Sequence, residues 1–269
     1  MKKETEEKLS RSLTAETTEL IPFLPYLLQD LWELGSDPKE MIRLIKKHVP
    51  ISSGTKLLDI ACGKGAVSIN AAKELNVNVY GFDLIKDFID YAKNKAQELS
   101  VGDLCHFTVA DVNDVVNNEA NYDCVIFGAA GNILGTPEET LKKLCGTIKQ
   151  GGFILIDECY LPDDTNDVTN GATKNEKIEY KNYEYLRREQ WLQLFADSGL
   201  LLVEEAINQE HDYENDKNAM TARAAELSAK HPEKEAMFAG YIQSQLNEYS
   251  DLENNLVGVT WLLQKRSLL

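Results

Sequence analysis

The chain has 269 residues, 43% of them hydrophobic, which is enough for one sizeable α/β core carrying an elaborated cover. Its 44 acidic residues outnumber 28 basic ones, and the formal net charge of −16 argues against a nucleic-acid partner, because such affinity comes from Lys and Arg neutralising phosphates. No apolar run approaches the length of a membrane span, and the opening Met1-Lys2-Lys3-Glu4 is too polar for a signal peptide, so a cytoplasmic protein with no membrane partner is expected. Cys62, Cys105, Cys124, Cys145 and Cys159 form no Cys-x-x-Cys pair and have no histidine at metal spacing. That scatter fits a reducing compartment and predicts no metal site.

Residues 1–20 are charged and threonine-rich and read as a frayed helix or a partly ordered segment. Leu20 to Trp32 is densely apolar, with Pro22 at the start of an expected helix. Gly35-Ser36-Asp37-Pro38 turns into a helix running to about Lys47 on the spacing of Met41, Leu44 and Ile45, with Ser36 or Asp37 as its N-cap. Then comes Lys56-Leu57-Leu58-Asp59-Ile60-Ala61-Cys62-Gly63-Lys64-Gly65, an apolar run, an acidic residue and two spaced glycines. It reads as strand, tight turn, and a helix from Ala66 to Leu75. Gly63 and Gly65 permit a sharp turn and close approach of a ligand, to which the helix offers unpaired N–H groups.

The next strand, 77–82, ends at Asp83. A helical crossover makes the two strands parallel neighbours and brings Asp83 to the same sheet edge as the glycine loop. A carboxylate there accepts two hydrogen bonds from a ribose diol, so the residues propose a nucleoside-bearing ligand. Two candidates stay open, a nicotinamide dinucleotide and S-adenosylmethionine. The dinucleotide fingerprint asks for a third small residue and no particular acid before the first glycine; here the third position is Ser68 and Asp59 ends the strand.

Helix 86–99, strand 104–109, strand 122–127, helix 137–149 and strand 152–157 follow. Alternation of this kind means a doubly wound, mostly parallel sheet with helices on both faces. A polar, irregular stretch from Leu161 to about Tyr185 precedes a helix from Arg188 to Ser198 and a strand at 200–206. His211 to Ser250 reads mostly helical with a break at His231-Pro232, and residues 256–263 form a closing strand.

Asp59-Ile60-Ala61-Cys62-Gly63-Lys64-Gly65 resembles the first motif of the class I S-adenosylmethionine-dependent methyltransferases, with Ala61 where that family usually has its first glycine. The likeness continues, in the family's order and spacing, through Gly81-Phe82-Asp83-Leu84, Ala110-Asp111-Val112, Tyr122 to Gly128, and Gly151 to Ile156. It implies a seven-stranded Rossmann-like sheet and S-adenosyl-L-methionine as cofactor, with S-adenosyl-L-homocysteine as product. The cofactor residues it implies are Asp59, Ala61, Cys62, Gly63 and Gly65 in the first loop, Asp83 and Leu84 at the ribose, Ala110, Asp111 and Val112 at the adenine, and Gly128 beside them. Asp111 would accept from the adenine amino group, Leu84 and Ile85 would supply apolar faces to the ring, and Gly35 and Ser36 would lie near the amino-acid end. By the same resemblance residues 1–36 form an N-terminal helical cap on a domain at 37–269. Inserts at about 160–186 and 209–252 then cover a substrate pocket, or else form a dimer surface.

Methyl transfer from a sulfonium is an in-line displacement that depends mainly on holding the acceptor in a dry, oriented site, so no triad is required. Of four histidines, His211 alone sits where an insert leaves the ligand edge, and with Glu158 it is the catalytic candidate. His106 reads as structural, His48 as bound to helix-end carbonyls and His231 as helix punctuation. Asp157 ends its strand beside Glu158, where its carboxylate can reach the pocket or serve as a cap or loop anchor. Tyr160, Tyr180, Tyr183 and Tyr213 are candidates for an aromatic pocket, and Arg223 for an anionic substrate or a solvated face. Gly128 to Asn132 lacks the Asn-Pro-Pro-Tyr type of sequence found in nucleic-acid and glutamine amino-methyltransferases. The expectation is methyl transfer to a small-molecule acceptor in an enclosed pocket. Its rivals are a nicotinamide-dependent oxidoreductase, a cofactor-binding module without turnover, and a protein or RNA methyltransferase, which would need an open basic face. A homodimer remains open.

Overall fold

Strict alternation of apolar residues builds the sheet. Along β1 (Lys56–Ile60) Leu57 and Leu58 are both fully buried but on opposite faces, and along β4 (Tyr122–Gly128) Cys124 and Ile126 oppose Val125 and Phe127. In the computed structural model, which describes residues 3–162, 178–180, 183–208 and 213–266, these are central strands. β2 (Asn78–Asp83) and β3 (Cys105–Val109) extend the sheet on one side; β5 (Ile148–Tyr160), β9 (Val257–Lys265) and β8 (Leu200–Ile207) extend it on the other. The order is β3-β2-β1-β4-β5-β9-β8, parallel through β5, with β9 antiparallel to both its neighbours. This is the Rossmann-like, mostly parallel seven-stranded fold expected from sequence. The order reverses between β1 and β4, where open α/β sheets take their ligands.

Helices α3 (Pro38–His48), α4 (Ala66–Leu75) and α5 (Lys86–Glu98) cover one face. The other is covered by α6 (Val112–Asn118), α7 (Pro137–Thr147) and α8 (Arg188–Asp197), whose Trp191 and Phe195 close on Trp261. Local chemistry sets several boundaries. Asp37, not Ser36, caps α3, accepting from Lys39 and Glu40 with Pro38 at the first turn. Thr136 and Glu139 form a capping box on α7.

A third apolar cluster lies beyond the sheet's ligand edge. Leu9 of α1 (Lys3–Ser12), Leu20, and Leu24 and Leu27 of α2 (Leu24–Leu27) pack with Phe88 of α5. Met220 and Leu227 of α9 (Glu214–Lys230) and Phe238 and Tyr241 of α10 (Glu235–Asn254) complete it. The N-terminal segment and the second insert therefore share one roof.

Four elements differ from the sequence expectation. The helix expected from Leu20 is broken into a 3-10 turn (Thr18–Phe23) and the short α2, because Pro22 and Pro25 each remove a backbone donor. α6 was not foreseen; it is seven residues long, ends in two asparagines, and is started by Asp111, whose carboxylate accepts from the Asn113 N–H. β5 is longer than expected because β9 pairs with it out to Tyr160. The stretch read as irregular contains an antiparallel pair, β6 (Ile178–Tyr180) and β7 (Tyr183–Tyr185).

Candidate functional site

The loop after β1 uses positive φ at alternate residues: Ala61 (59°), Gly63 (53°) and Gly65 (75°). An L-residue takes negative φ more readily, yet Ala61 holds the left-handed conformation of the glycine it replaces, at a cost of about 1–2 kcal/mol. The glycines differ in purpose. A Cβ on Gly65 would stand 2.8 Å from the Phe107 ring and 3.0 Å from Ala92, so Gly65 serves the contact of α4 with the sheet. A Cβ on Gly63 would stand 3.1 Å from Leu34, which lines the ligand cleft. Asp59 does not face that cleft. It is buried under the loop, where Ser68 Oγ in the first turn of α4 donates to it at 2.6 Å, and burial raises its carboxyl to about 7.

Asp83 ends β2 with its carboxylate on the cleft wall. Oδ2 accepts from Gly63 N–H at 2.9 Å and Oδ1 from Ile85 N–H at 2.8 Å, the Leu84 N–H is a third backbone donor, and the residue lines the cleft. Burial raises its pKa while these backbone donors oppose the rise. The cleft encloses about 670 Å³, part of it open to solvent, within the range of small-molecule sites. Its floor is Ala61, Gly63, Asp83, Leu84, Asp111 and Val112; Gly128 and Ala129 flank it, and Leu9 of α1 and Leu13 just after it close it from above. Asp111 Oδ2 accepts from the Thr5 hydroxyl at 2.7 Å, a contact from α1 that no sequence signal announced.

Gly35, Ser36, Cys62, Gly65 and Ala110 do not line the cleft. Ser36 meets Gly128, where a Cβ would collide with its hydroxyl and stand 2.8 Å from the Met41 methyl. Ser36 also hydrogen-bonds the buried carboxylate of Asp157, which Asn208 Nδ2 approaches to 3.1 Å and Thr260 Oγ1 to 3.5 Å. Burial raises Asp157 to about 6. Asp157 is thus an anchor joining the turn before α3, β5, β9 and the start of the second insert. Asn208 and Thr260 carry no motif and were not singled out by sequence.

The catalytic candidates separate. Glu158 is half-buried on the overhang of β5, accepting from the Cys159 N–H at 3.0 Å, outside the cleft. His211 lies outside the described residues, as do the side chains of Tyr180 and Tyr183. Tyr160 stacks on Trp261, and Tyr213 on Tyr249. Arg223, a candidate for an anionic substrate or a solvated face, grips Asp30 of the N-terminal segment through two bonds of 2.6 and 3.0 Å. His48 reaches Glu204 at 2.5 Å rather than its own helix end, His106 lies against Tyr80, and His231 packs edge-on to Phe23. Burial pushes the Cys62 and Cys159 thiols well above their ordinary pKa, so neither is a thiolate nucleophile at neutral pH. Among the described residues no group of three His, Cys, Asp or Glu is placed to hold a metal ion, and no helix is long and apolar enough to cross a membrane.

This donor set fits a nucleoside ligand. Asp83 presents a buried carboxylate on the cleft wall, Gly63 leaves room beside Leu34, and Ile85, Phe88 and Ile133 give apolar walls. A family model described as a methyltransferase domain matches residues 51–222. The uncharacterized protein YjhP of Escherichia coli strain K12 is 30% identical over 125 residues, 45% of this chain and 49% of that protein. A 27-O-demethylrifamycin SV methyltransferase of Amycolatopsis mediterranei is 31% identical over 115 residues, 42% of each chain. The chain thus spans less than half the length of these curated relatives. A SAM-dependent methyltransferase of Geobacter sulfurreducens, solved in complex with S-adenosyl-L-homocysteine, superimposes with a TM-score of 0.72 at 21% identity, covering 90% of this chain and 97% of that one. At that identity the likeness is one of fold.

Proposed function

Because the chain belongs to the methyltransferase-domain family, we propose that it binds S-adenosylmethionine in the cleft at the β1–β4 switch point and transfers its methyl group to a small molecule held under the helical roof. The observation that carries the reading is Asp83: a buried carboxylate on the cleft wall, pinned by the backbone N–H groups of Gly63, Ile85 and Leu84. When bound, S-adenosylmethionine supplies a methyl group on a sulfonium that departs by in-line displacement. Asp83 would hold the ribose diol, Asp111 the adenine amino group in exchange for Thr5, and Leu84, Ile85 and Ile133 the faces of the ring. Ser36, fixed by Asp157, would stand at the amino-acid end. The chain's contribution to rate is then orientation and exclusion of water, for which a nonpolar roof from α1, α2, α9 and α10 is suited.

A small-molecule acceptor is supported by that roof and by the net charge of −16, which disfavours a nucleic-acid substrate. Five unpaired thiols support a reducing, cytoplasmic setting. The nicotinamide reading is set aside with the family assignment. Calorimetric titration with S-adenosylhomocysteine, with NAD as competing ligand, tests the cofactor. Micromolar binding of the homocysteine compound alone is expected; binding of NAD alone, or of neither, would sink the reading. A panel of hydroxyl, thiol and amine acceptors then tests transfer.

A further inference from the structure

Lys64 stands between the two glycines of the loop, where a lysine is ordinarily a solvated charge, yet it is 3% exposed. Its Nζ donates to the carbonyls of Leu28 at 2.5 Å and Leu31 at 2.6 Å, and lies over the rings of Tyr91 (5.0 Å) and Phe88 (5.8 Å) of α5. The bond is returned: the Trp32 indole N–H donates to the Lys64 carbonyl at 3.2 Å. A buried ammonium is costly unless its donors are satisfied, and here carbonyls and aromatic faces satisfy it. Both carbonyls lie past the end of α2, and that of Leu28 also accepts the Leu31 N–H in a turn at 3.1 Å. Two residues on, Leu34 lies against Gly63 and forms part of the cleft wall.

We propose that Lys64 is a positioning residue that clamps the N-terminal cover, residues 24–34, onto the glycine loop, so that cofactor binding and closure of the cover are one event. The inference rests on reading the cleft as the S-adenosylmethionine site. Releasing the ammonium would free Leu28 and Leu31, take Leu34 off Gly63, and loosen the wall beside the Gly63 N–H that pins Asp83. The clamp reaches further, because Asp30 in the same segment is held by Arg223 of α9. Cover, cofactor loop and second insert are then one mechanical unit.

The clamp is also linked to pH. Burial lowers the Lys64 amine to about 8, with Asp30 opposing that fall from the cover side. The charged and titratable groups around it are Asp30, paired to Arg223; Tyr91 of α5; and Lys95, which lies over Trp32. An amine released to solvent regains its ordinary pKa, so opening takes up a proton between about pH 8 and 10. The clamp therefore tightens as pH rises through that range, by up to about tenfold per pH unit, while the neutral amine still donates to both carbonyls.

Hydrogen exchange of the amides of residues 24–34, measured on the full chain with and without S-adenosylhomocysteine from pH 7 to 9.5, tests this. In the wild type these amides are expected to be protected without ligand and further protected with it. Above pH 8 their exchange should flatten, although the chemical rate climbs about tenfold per pH unit. In Lys64→Met exchange should be at least about tenfold faster at pH 8, the flat region should vanish, and the ligand should bind about tenfold more weakly. Wild-type protection and wild-type affinity in Lys64→Met, or a wild-type rate that climbs unchecked with pH, would overturn the clamp. If Lys64→Met does not fold, Trp32→Phe removes the returned bond while keeping an aromatic ring under Lys95; several-fold faster exchange of the same amides is expected, and unchanged exchange overturns the clamp. Failure of the wild type to bind the ligand overturns the cofactor reading alone, since exchange of the unliganded proteins still decides the clamp.

Discussion

Replacing Asp83 by Asn changes almost nothing in shape and removes one acceptor and one charge. In the wild type each carboxylate oxygen takes a backbone N–H, from Gly63 at 2.9 Å and Ile85 at 2.8 Å. The Asn nitrogen cannot accept, so one of those N–H groups loses its partner and a ribose diol loses a charged acceptor. A hydrogen bond to a charged group is worth about 1.5–3 kcal/mol, so S-adenosylhomocysteine should bind some ten- to hundredfold more weakly. The fold should suffer less than the ligand. Burial already raises the pKa of Asp83, which means that the charge is held at a cost, and a neutral amide relieves that cost. Calorimetric titration at pH 7.5, with a thermal melt of the same sample, reads both quantities. Affinity within twofold of wild type in a folded Asp83→Asn protein would refute the ribose assignment. Asp83→Ala, which strands both N–H groups, should lose stability as well as affinity.

Gly128→Ala places a methyl group against the Ser36 hydroxyl and the Met41 side chain, so Ser36 must leave Asp157; a thermal midpoint lowered by several degrees is expected, equivalent to about 1–3 kcal/mol of overpacking, and an unchanged midpoint would contradict the geometry. Thr5→Val frees Asp111 of its hydroxyl partner, and a faster association of S-adenosylhomocysteine, read by stopped flow, is expected; a slower one would show that Thr5 helps rather than competes. Three buried carboxyls should tie stability to pH: burial raises Asp59 to about 7, Asp157 to about 6 and Asp83 above its ordinary value, so they keep protons that the unfolded chain releases at about 4, and their contribution is full below about pH 4 and is lost as pH rises toward 7. Urea midpoints at pH 5 and 7.5 check this, and Asp59→Asn should shallow the slope; an identical slope would assign the effect elsewhere.

The sheet was legible because its signals are local and redundant. Leu57-Leu58 before Asp59, the glycine pair, and the carboxylate of Asp83 each constrain a strand end, and the crossover length then leaves one arrangement. The cleft floor followed from the same residues. What stayed hidden depends on contacts distant in sequence. Asp59 reads like a ligand acid but is turned toward Ser68. Gly65 reads like a phosphate-loop glycine but is small for Phe107 and Ala92. Asn208 and Thr260 meet Asp157 only because β9 is added antiparallel beside β5, with β8 beyond it at the sheet's edge.

Lys64 shows why such residues escape a reading of the chain. Its neighbours in sequence are glycines, and nothing within ten residues supplies a partner. The partners are the carbonyls of Leu28 and Leu31, which lie past the end of α2 at Leu27 and more than thirty residues before the lysine. In a continuous helix from Leu20 to Trp32 the Leu28 carbonyl would point along the helix axis to the Trp32 N–H; in the turn that follows α2 it accepts from both Leu31 N–H and Lys64 Nζ. The end of α2 and the burial of Lys64 thus meet at one carbonyl, where the cover joins the cofactor loop.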